Sequence, residues 1–299
     1  MVTAVAAEAS VDTLQRAYAA CARLARDHYE NFPVASFLLP KRMRPAIAAV
    51  YAFARTADDF ADEPGLATTE RLRLLDGWMA RLHDAAAGRT RSSSPDDLIF
   101  LALGDAMRAH RLPVRLFEDL LSAFRQDVTV GRYQTWSEVL DYCSRSANPV
   151  GRLVLRVAGY EDEALDRASD GLCTALQLTN FWQDFARYWQ NGRLYVPLEI
   201  SDRTGARDED LDGGIMTSAW RAALREMAAR TRELFAAGRP ICDGVGGRLR
   251  LELRFTWLGG SRILDKLERG DFDVFNRRPT LGAADLPALV WRAAAWSSA

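Results

Sequence analysis

Lysine is almost missing from this chain of 299 residues. Of its 39 basic side chains only Lys41 and Lys266 are lysines, and the rest are arginine. Arginine is a poor proton carrier at neutral pH and a good planar clamp for phosphate oxygens, although genome composition alone would leave the same bias. Histidine is scarce too: His28, His83 and His110 fall in no motif, so no histidine-activated nucleophile is indicated. The four cysteines, Cys21, Cys143, Cys173 and Cys242, lie far apart with no CxxC pair. That spacing excludes a zinc framework or a disulfide scaffold and makes a reducing, cytoplasmic compartment the default. A charge excess is also missing, since 39 basic residues meet 40 acidic ones for a net charge of -1. A broad nucleic-acid-binding surface needs a localised basic excess, so no nucleic-acid partner is expected. No apolar run reaches the length of a membrane span, about 18 residues. The start of the chain lacks the basic region of a signal peptide, and residues 1–12 read as a disordered tail.

What is present is helical periodicity. Alternating β-branched runs are absent, and turn signals fall at helix-length intervals. The pattern predicts helices at roughly 13–30, 41–63, 68–87, 95–110, 113–129, 136–147, 150–158, 162–190, 215–238, 247–269 and 284–296. Ser94-Pro95-Asp96-Asp97 and Thr135-Trp136-Ser137-Glu138 carry N-cap signals, and Asn148-Pro149 breaks one helix before the next. Loops are expected at Gly88–Ser94, Ser201–Gly214 and Gly270–Gly282. None reads as a domain linker, so residues 13–299 are expected to form a single all-α domain. Gly244-Val245-Gly246-Gly247 follows no strand and reads as a helix-helix turn rather than a dinucleotide fingerprint.

Two polar stripes interrupt helices that otherwise read as buried. In the first, Tyr51, Arg55, Asp58 and Asp62 fall within roughly 60° of one another at about 100° per residue, with Asp59 pointing elsewhere. Two carboxylates one turn apart repel each other and cannot both stay ionised in a dry interior. A solvated helix end explains them, and so does a divalent cation with hard oxygen ligands. In the second, Gln177, Asn180, Asp184 and Tyr188 again share one face, within Leu172–Phe185, which is too apolar for a surface helix. Buried amides and carboxylates need partners. They find them across neighbouring helices or at a metal ion inside a helical bundle.

Magnesium usually completes its shell with substrate phosphates and water. Arg55 lies on the first stripe, Arg187 and Arg193 follow the second, and Arg277 and Arg278 lie in a late loop. Acids that hold magnesium, together with arginines that clamp oxygens, make a diphosphate site. An apolar lining beyond it suits an isoprenoid diphosphate, whose ionisation leaves an allylic carbocation that aromatic faces stabilise.

These residues resemble the squalene/phytoene synthase family over about residues 25–282. The first motif is Arg55-Thr56-Ala57-Asp58-Asp59-Phe60-Ala61-Asp62-Glu63 and the second is Gln177-Leu178-Thr179-Asn180-Phe181-Trp182-Gln183-Asp184. Between them stands Tyr142-Cys143-Ser144-Arg145-Ser146-Ala147-Asn148-Pro149-Val150-Gly151. Within the family, Glu30–Ser36, Ser146–Gly151 and Asn180–Asp184 are similar to the bacterial hydroxysqualene synthases of hopanoid pathways. The resemblance implies a class I isoprenoid synthase helical bundle with a central cavity. It implies conversion of presqualene diphosphate, made by a partner synthase from farnesyl diphosphate, to hydroxysqualene, which a separate flavin enzyme then reduces. By the same resemblance Asp58, Asp62, Asn180 and Asp184 bind two or three Mg2+ ions. Arg55, Gln177, Arg193, Arg277 and Arg278 bind substrate, and Tyr142 acts near the leaving group with Tyr51 close by. NADPH is not expected for water capture.

One position departs from the family pattern. Four residues after Asp184, where an acid is usual, stands Tyr188, and a phenol with a pKa near 10 is a poor magnesium ligand at neutral pH. Three readings stay open: water completes the metal shell, fewer metals bind and the chemistry changes, or the protein is a non-catalytic member. Squalene or phytoene formation and prenyl transfer to another acceptor are the alternatives within the same chemistry. The segment 284–296 is amphipathic enough to lie on a bilayer as a peripheral contact at the inner membrane face, or to be a docked terminal helix.

Overall fold

The computed structural model describes residues 11–27, 38–63 and 65–296. Its helices are α1 (Val11–Asp27), α2 (Arg44–Asp62), α3 (Thr68–Ala86), α4 (Pro95–His110), α5 (Val114–Thr129), α6 (Trp136–Ser146), α7 (Asn148–Ala158) and α8 (Glu163–Gln183). They continue with α9 (Phe185–Gln190), α10 (Leu198–Thr204), α11 (Asp208–Asp212), α12 (Ser218–Gly238), α13 (Ile241–Gly244), α14 (Gly247–Arg269) and α15 (Leu286–Ala294). Among the described residues no strand forms, and the only ladder contact is an isolated parallel bridge between Arg132 and Leu194. No helix of the described residues is long and apolar enough to cross a membrane. The chain packs as two compact units. One holds the chain up to Thr129 with Arg152–Glu161, and the other holds Val130–Gly151 and the chain from Asp162 onward.

In the first unit α2 is the central element, packed by α1, α3, α4 and α5. Its N-terminal half is buried on nearly every side because it is built from Ala46, Ile47, Ala48, Ala49, Val50, Ala52 and Phe53. The alanines lose no side-chain entropy and let neighbouring helices approach closely. Phe53 is the hub: its ring lies 5.4 Å from Phe117 and 6.0 Å from both Trp78 and Phe100. Trp78 donates from Nε1 to the Phe53 carbonyl at 3.2 Å, so the buried indole keeps a partner.

In the second unit α8 takes that place, contacted by α6, α12, α13 and α14. Two glycines set how closely α8 and α12 pack. A Cβ on Gly238 would sit 2.4 Å from the Leu172 amide nitrogen, and one on Gly171 would sit 3.0 Å from the Gly238 nitrogen. Trp182 and Phe181 are buried to 1% exposure or less, and each contributes about 2–3 kcal/mol by burial. Trp182 Nε1 donates to Thr231 Oγ1 at 2.9 Å. Gly151, in the middle motif, has the same kind of role, because a Cβ there would meet Ser169 Oγ at 2.3 Å and Cys173 Sγ at 2.5 Å.

The capping signals act as expected. Ser94 and Asp97 form a reciprocal capping box at the start of α4, and Thr135 accepts from the Glu138 amide at 3.3 Å. Several boundaries differ from the sequence reading by a few residues, and four differences are larger or change an element. α1 starts at Val11, inside the expected tail, with Asp12 complementing its first turn; residues 1–10 lie outside the described residues, as do His28 and the Glu30–Ser36 segment. The helix expected over 162–190 is interrupted at Asp184 (φ -103°, ψ 19°), which separates α8 from α9. The expected loop Ser201–Gly214 contains the end of α10 and all of α11. A 3-10 turn, Ala283–Asp285, precedes α15.

Candidate active site

The first motif occupies the last two turns of α2. Asp58, Asp59 and Asp62 crowd the C-terminal end of a helix with no basic residue in its last turn, where the helix dipole disfavours negative charge. Arg55 answers them from one turn back. Its Nη2 donates to Asp59 Oδ1 at 2.5 Å and its Nη1 to Asp58 Oδ2 at 3.4 Å. Asp59 therefore does not point away from the stripe, because a long guanidinium reaches both i+3 and i+4. Arg55 Nε is buried without a hydrogen-bond partner. Asp58 is half-buried and Asp62 exposed, so the two carboxylates lie at a helix end that solvent reaches, one of the two settings that their spacing allows. Tyr51, half-buried, has its hydroxyl pKa raised, chiefly by burial.

The second motif sits at the C-terminal end of α8, where the helix gives way at Asp184. Asp184 is buried and receives three donors. Asn180 Nδ2 reaches its Oδ2 at 2.8 Å, Arg278 Nη2 reaches Oδ2 at 3.1 Å, and Arg278 Nε donates to Oδ1. Tyr188, on α9, donates its hydroxyl to Asn180 Oδ1 at 2.8 Å. Gln183 Nε2 donates to the Pro279 carbonyl at 2.6 Å, which holds the loop carrying Arg278 against α8. The four groups Arg278, Asp184, Asn180 and Tyr188 thus form one hydrogen-bonded chain.

Aromatic rings adjoin this chain. Phe181, next to Asn180, stacks on Tyr195 with centroids 3.5 Å apart and planes 2° from parallel. Tyr188 meets both edge-on, 5.6 Å from Phe181 and 5.0 Å from Tyr195. Tyr142, buried on α6, lies 6.1 Å from Phe181 and 5.7 Å from Tyr195, and Tyr133 lies 5.8 Å from Tyr142. Ring faces carry negative quadrupole charge. A cluster of them beside hard oxygen donors can stabilise a carbocation near the group that leaves.

The squalene/phytoene synthase profile matches residues 25–285. The chain belongs to the squalene/phytoene synthase family. It is an enzyme of squalene/phytoene synthase type. A hydroxysqualene synthase from Rhodopseudomonas palustris is 38% identical over 244 residues, covering 81% of this chain and 80% of that protein. The crystal structure of squalene synthase HpnC from Alicyclobacillus acidocaldarius superposes with a TM-score of 0.79 at 37% identity, covering 87% of this chain and 95% of that one. A dehydrosqualene synthase in complex with ligand shares the fold, with a TM-score of 0.82 at 21% identity over 95% of this chain and 98% of that one.

In this squalene/phytoene synthase the site residues read from the sequence fall into two groups, one in each unit. Tyr51, Arg55, Asp58 and Asp62 share α2. In the second unit Asn180, Asp184 and Arg278 are in direct contact, and Tyr142 joins them through Phe181. Gln177 lies half-buried one turn before Asn180, and Arg193, half-buried, follows α9 with its amide on the Tyr188 carbonyl at 2.9 Å. Arg277 is exposed next to Arg278. Sequence reading missed Tyr133, Phe181 and Tyr195 as members of the aromatic cluster. The available signal was Phe181 inside the second motif and Tyr195 in the apolar run Leu194–Val196.

Among the described residues no group of three or more His, Cys, Asp or Glu side chains is gathered for a metal. Magnesium asks for less: one or two carboxylates, with phosphate and water completing six positions. The Asp58/Asp62 pair and the Asn180/Asp184 pair fit that requirement in donor type. The orphaned Arg55 Nε suits an incoming anionic oxygen.

Proposed function

We propose that this enzyme converts presqualene diphosphate to hydroxysqualene. The reading is supported most by the placement of a hard-oxygen pair, Asn180 and Asp184, on the same helix turn as Phe181, whose stacked partner Tyr195 adjoins Tyr142. An anionic head and a cationic hydrocarbon centre need those two environments side by side. The hydroxysqualene synthase similarity of 38% over most of both chains points to the same product.

Asp58, Asp62, Asn180 and Asp184 would hold Mg2+, which when bound neutralises the diphosphate and makes it a better leaving group. Arg55, Arg193, Arg277 and Arg278 bind diphosphate oxygens, with Gln177 contacting substrate from the face of α8. The carbon–oxygen bond breaks with its electron pair leaving on the diphosphate, and the cyclopropane rearranges. Water then adds to the cation and loses one proton, so that diphosphate, a proton and an alcohol are the products. We assign Tyr142, with the rings around it, to stabilise the cation and to give or take the proton, and we assign Tyr51 on α2 a catalytic role as well. Upstream, the substrate comes from a synthase joining two farnesyl diphosphates; downstream, the alcohol needs a reductase, which we assign to a flavin enzyme. No NADPH is consumed in this step.

The test is product analysis by mass spectrometry with presqualene diphosphate and with farnesyl diphosphate, with and without NADPH, in 18O-labelled water. Hydroxysqualene carrying one 18O is the expected product. Squalene, phytoene or an unlabelled alcohol would overturn the reading. A second reading is favoured by one observation: both donors of the second motif already have partners, Asn180 in Tyr188 and Asp184 in Arg278. That reading is a family member that binds the diphosphate without turnover. Magnesium-independent affinity with no product would establish it.

A further inference from the structure

The outer face of α15 presents an unusual surface. Leu286, Val290 and Trp291 are 56%, 53% and 72% exposed. From Leu281 to Ala295 the exposed side chains include no acid, and their only charge is Arg292. The one acid in that stretch, Asp285, is turned inward, where it is held by Arg262 Nε at 3.0 Å, Lys266 Nζ at 2.6 Å and the Gly282 amide at 2.9 Å.

The helix is firmly seated on its other face. Leu289 and Ala293 pack on Leu258 of α14. Trp296 meets Trp257 edge-on at 5.5 Å and donates to Asp243 at 3.3 Å, and the guanidinium of Arg239 lies 4.6 Å from its ring. The apolar outer face is therefore a fixed feature of the fold rather than a frayed end waiting to pack. Three large side chains on nine residues cannot supply the roughly 800 Å² per partner of a standard protein interface. A tryptophan beside an arginine, with aliphatic side chains and no acid, matches the boundary between acyl chains and anionic headgroups.

We propose that the outer face of α15, carrying Leu286, Val290 and Trp291 with Arg292 at its edge, is a docking surface for an anionic lipid bilayer. At nine residues the helix is far too short to span, so it lies in the interface plane.

The test is sedimentation of the full chain with sucrose-loaded phosphatidylcholine vesicles, with and without phosphatidylglycerol. The expected result is preferential binding to the anionic vesicles, weakened by salt. The double variant Leu286→Ser/Trp291→Ser should lower the partition coefficient by on the order of tenfold or more. Arg292→Glu should lower binding to phosphatidylglycerol vesicles while leaving the neutral ones unaffected. Both positions of the double variant are exposed, so its helical signal and melting temperature should match the wild type, which separates lost docking from lost folding. Failure of the wild type to bind, or equal binding by the wild type and the double variant, overturns the proposal. So does a wild-type dimer that the double variant dissociates, since a second copy would then cover the face.

Discussion

Tyr188 and Arg278 hold the same side chains that magnesium would use, so removing either should strengthen metal binding. A proton donor on a ligand oxygen competes with a cation for its lone pairs. Tyr188→Phe keeps the ring in its edge-on contacts with Phe181 and Tyr195 and deletes only the hydroxyl on Asn180 Oδ1. A neutral hydrogen bond is worth about 0.5–1.5 kcal/mol net, which corresponds to a gain in metal affinity of about two- to twelvefold. Arg278→Gln removes a guanidinium that is 50% exposed. Solvent screening discounts its hold on Asp184 to about 1 kcal/mol, or about fivefold. Diphosphate affinity should fall in that variant while metal affinity rises, because the guanidinium assigned to the diphosphate oxygens is gone. Tyr188→Asp restores the family's acid, and its melting temperature should drop in chelator through carboxylate repulsion and recover with magnesium. The assay is titration of the full chain with Mn2+, followed by electron paramagnetic resonance, with calorimetry in Mg2+ and Asp184→Asn as the negative control. Unchanged or weaker binding by Tyr188→Phe would refute the competition. Absence of binding in the wild type and every variant would instead refute the metal assignment.

Gly238→Ala should lower the melting temperature by several degrees, since its Cβ would press on the Leu172 backbone at 2.4 Å and overpacking costs about 1–3 kcal/mol; thermal unfolding checks it, and a wild-type midpoint would contradict the close seam. Asp285→Asn should loosen α15, read as faster amide exchange over 286–294. The Lys266 ammonium foremost holds the Asp285 carboxyl well below the usual carboxylate range. Its contribution is therefore fully present above the ordinary value of about 3.9 and is lost as pH falls through the lowered folded value, so variant and wild type should converge in strong acid. The thiols should resist Ellman's reagent at pH 8 until the protein unfolds, because burial pushes Cys21 and Cys242 up to about 12 and Cys173 up to about 11; rapid native labelling would contradict this.

Helix type was legible because turns, caps and apolar periodicity agree along most of the chain. The Ser94 box and the Asn148-Pro149 break are local devices that need no tertiary information. The interruption at Asp184 was not legible. Phe185-Ala186-Arg187-Tyr188-Trp189 contains neither glycine nor proline, and the break accompanies a carboxylate drawn toward Arg278, 94 residues away. The short helices α10 and α11 were hidden because Gly205, Gly213 and Gly214 read as loop punctuation. Spacing identified the Asn180/Asp184 donor pair, since i,i+4 geometry is a property of the helix itself. It could not find Tyr133 beside Tyr142 and Tyr195, which no periodicity connects. Asp59 was misassigned because an angular count treats side chains as spokes, whereas Arg55 is long enough to bridge neighbouring spokes.

The near absence of lysine has a practical consequence at the α15 anchor. Lys41 is exposed, while the Lys266 ammonium is engaged by Asp285 and the Thr280 carbonyl. An acylating reagent that distinguishes these two ε-amines thus carries its own internal standard. The ratio of modification at Lys266 to that at Lys41 becomes a gauge of whether the carboxyl-terminal helix is seated, readable from a single peptide digest.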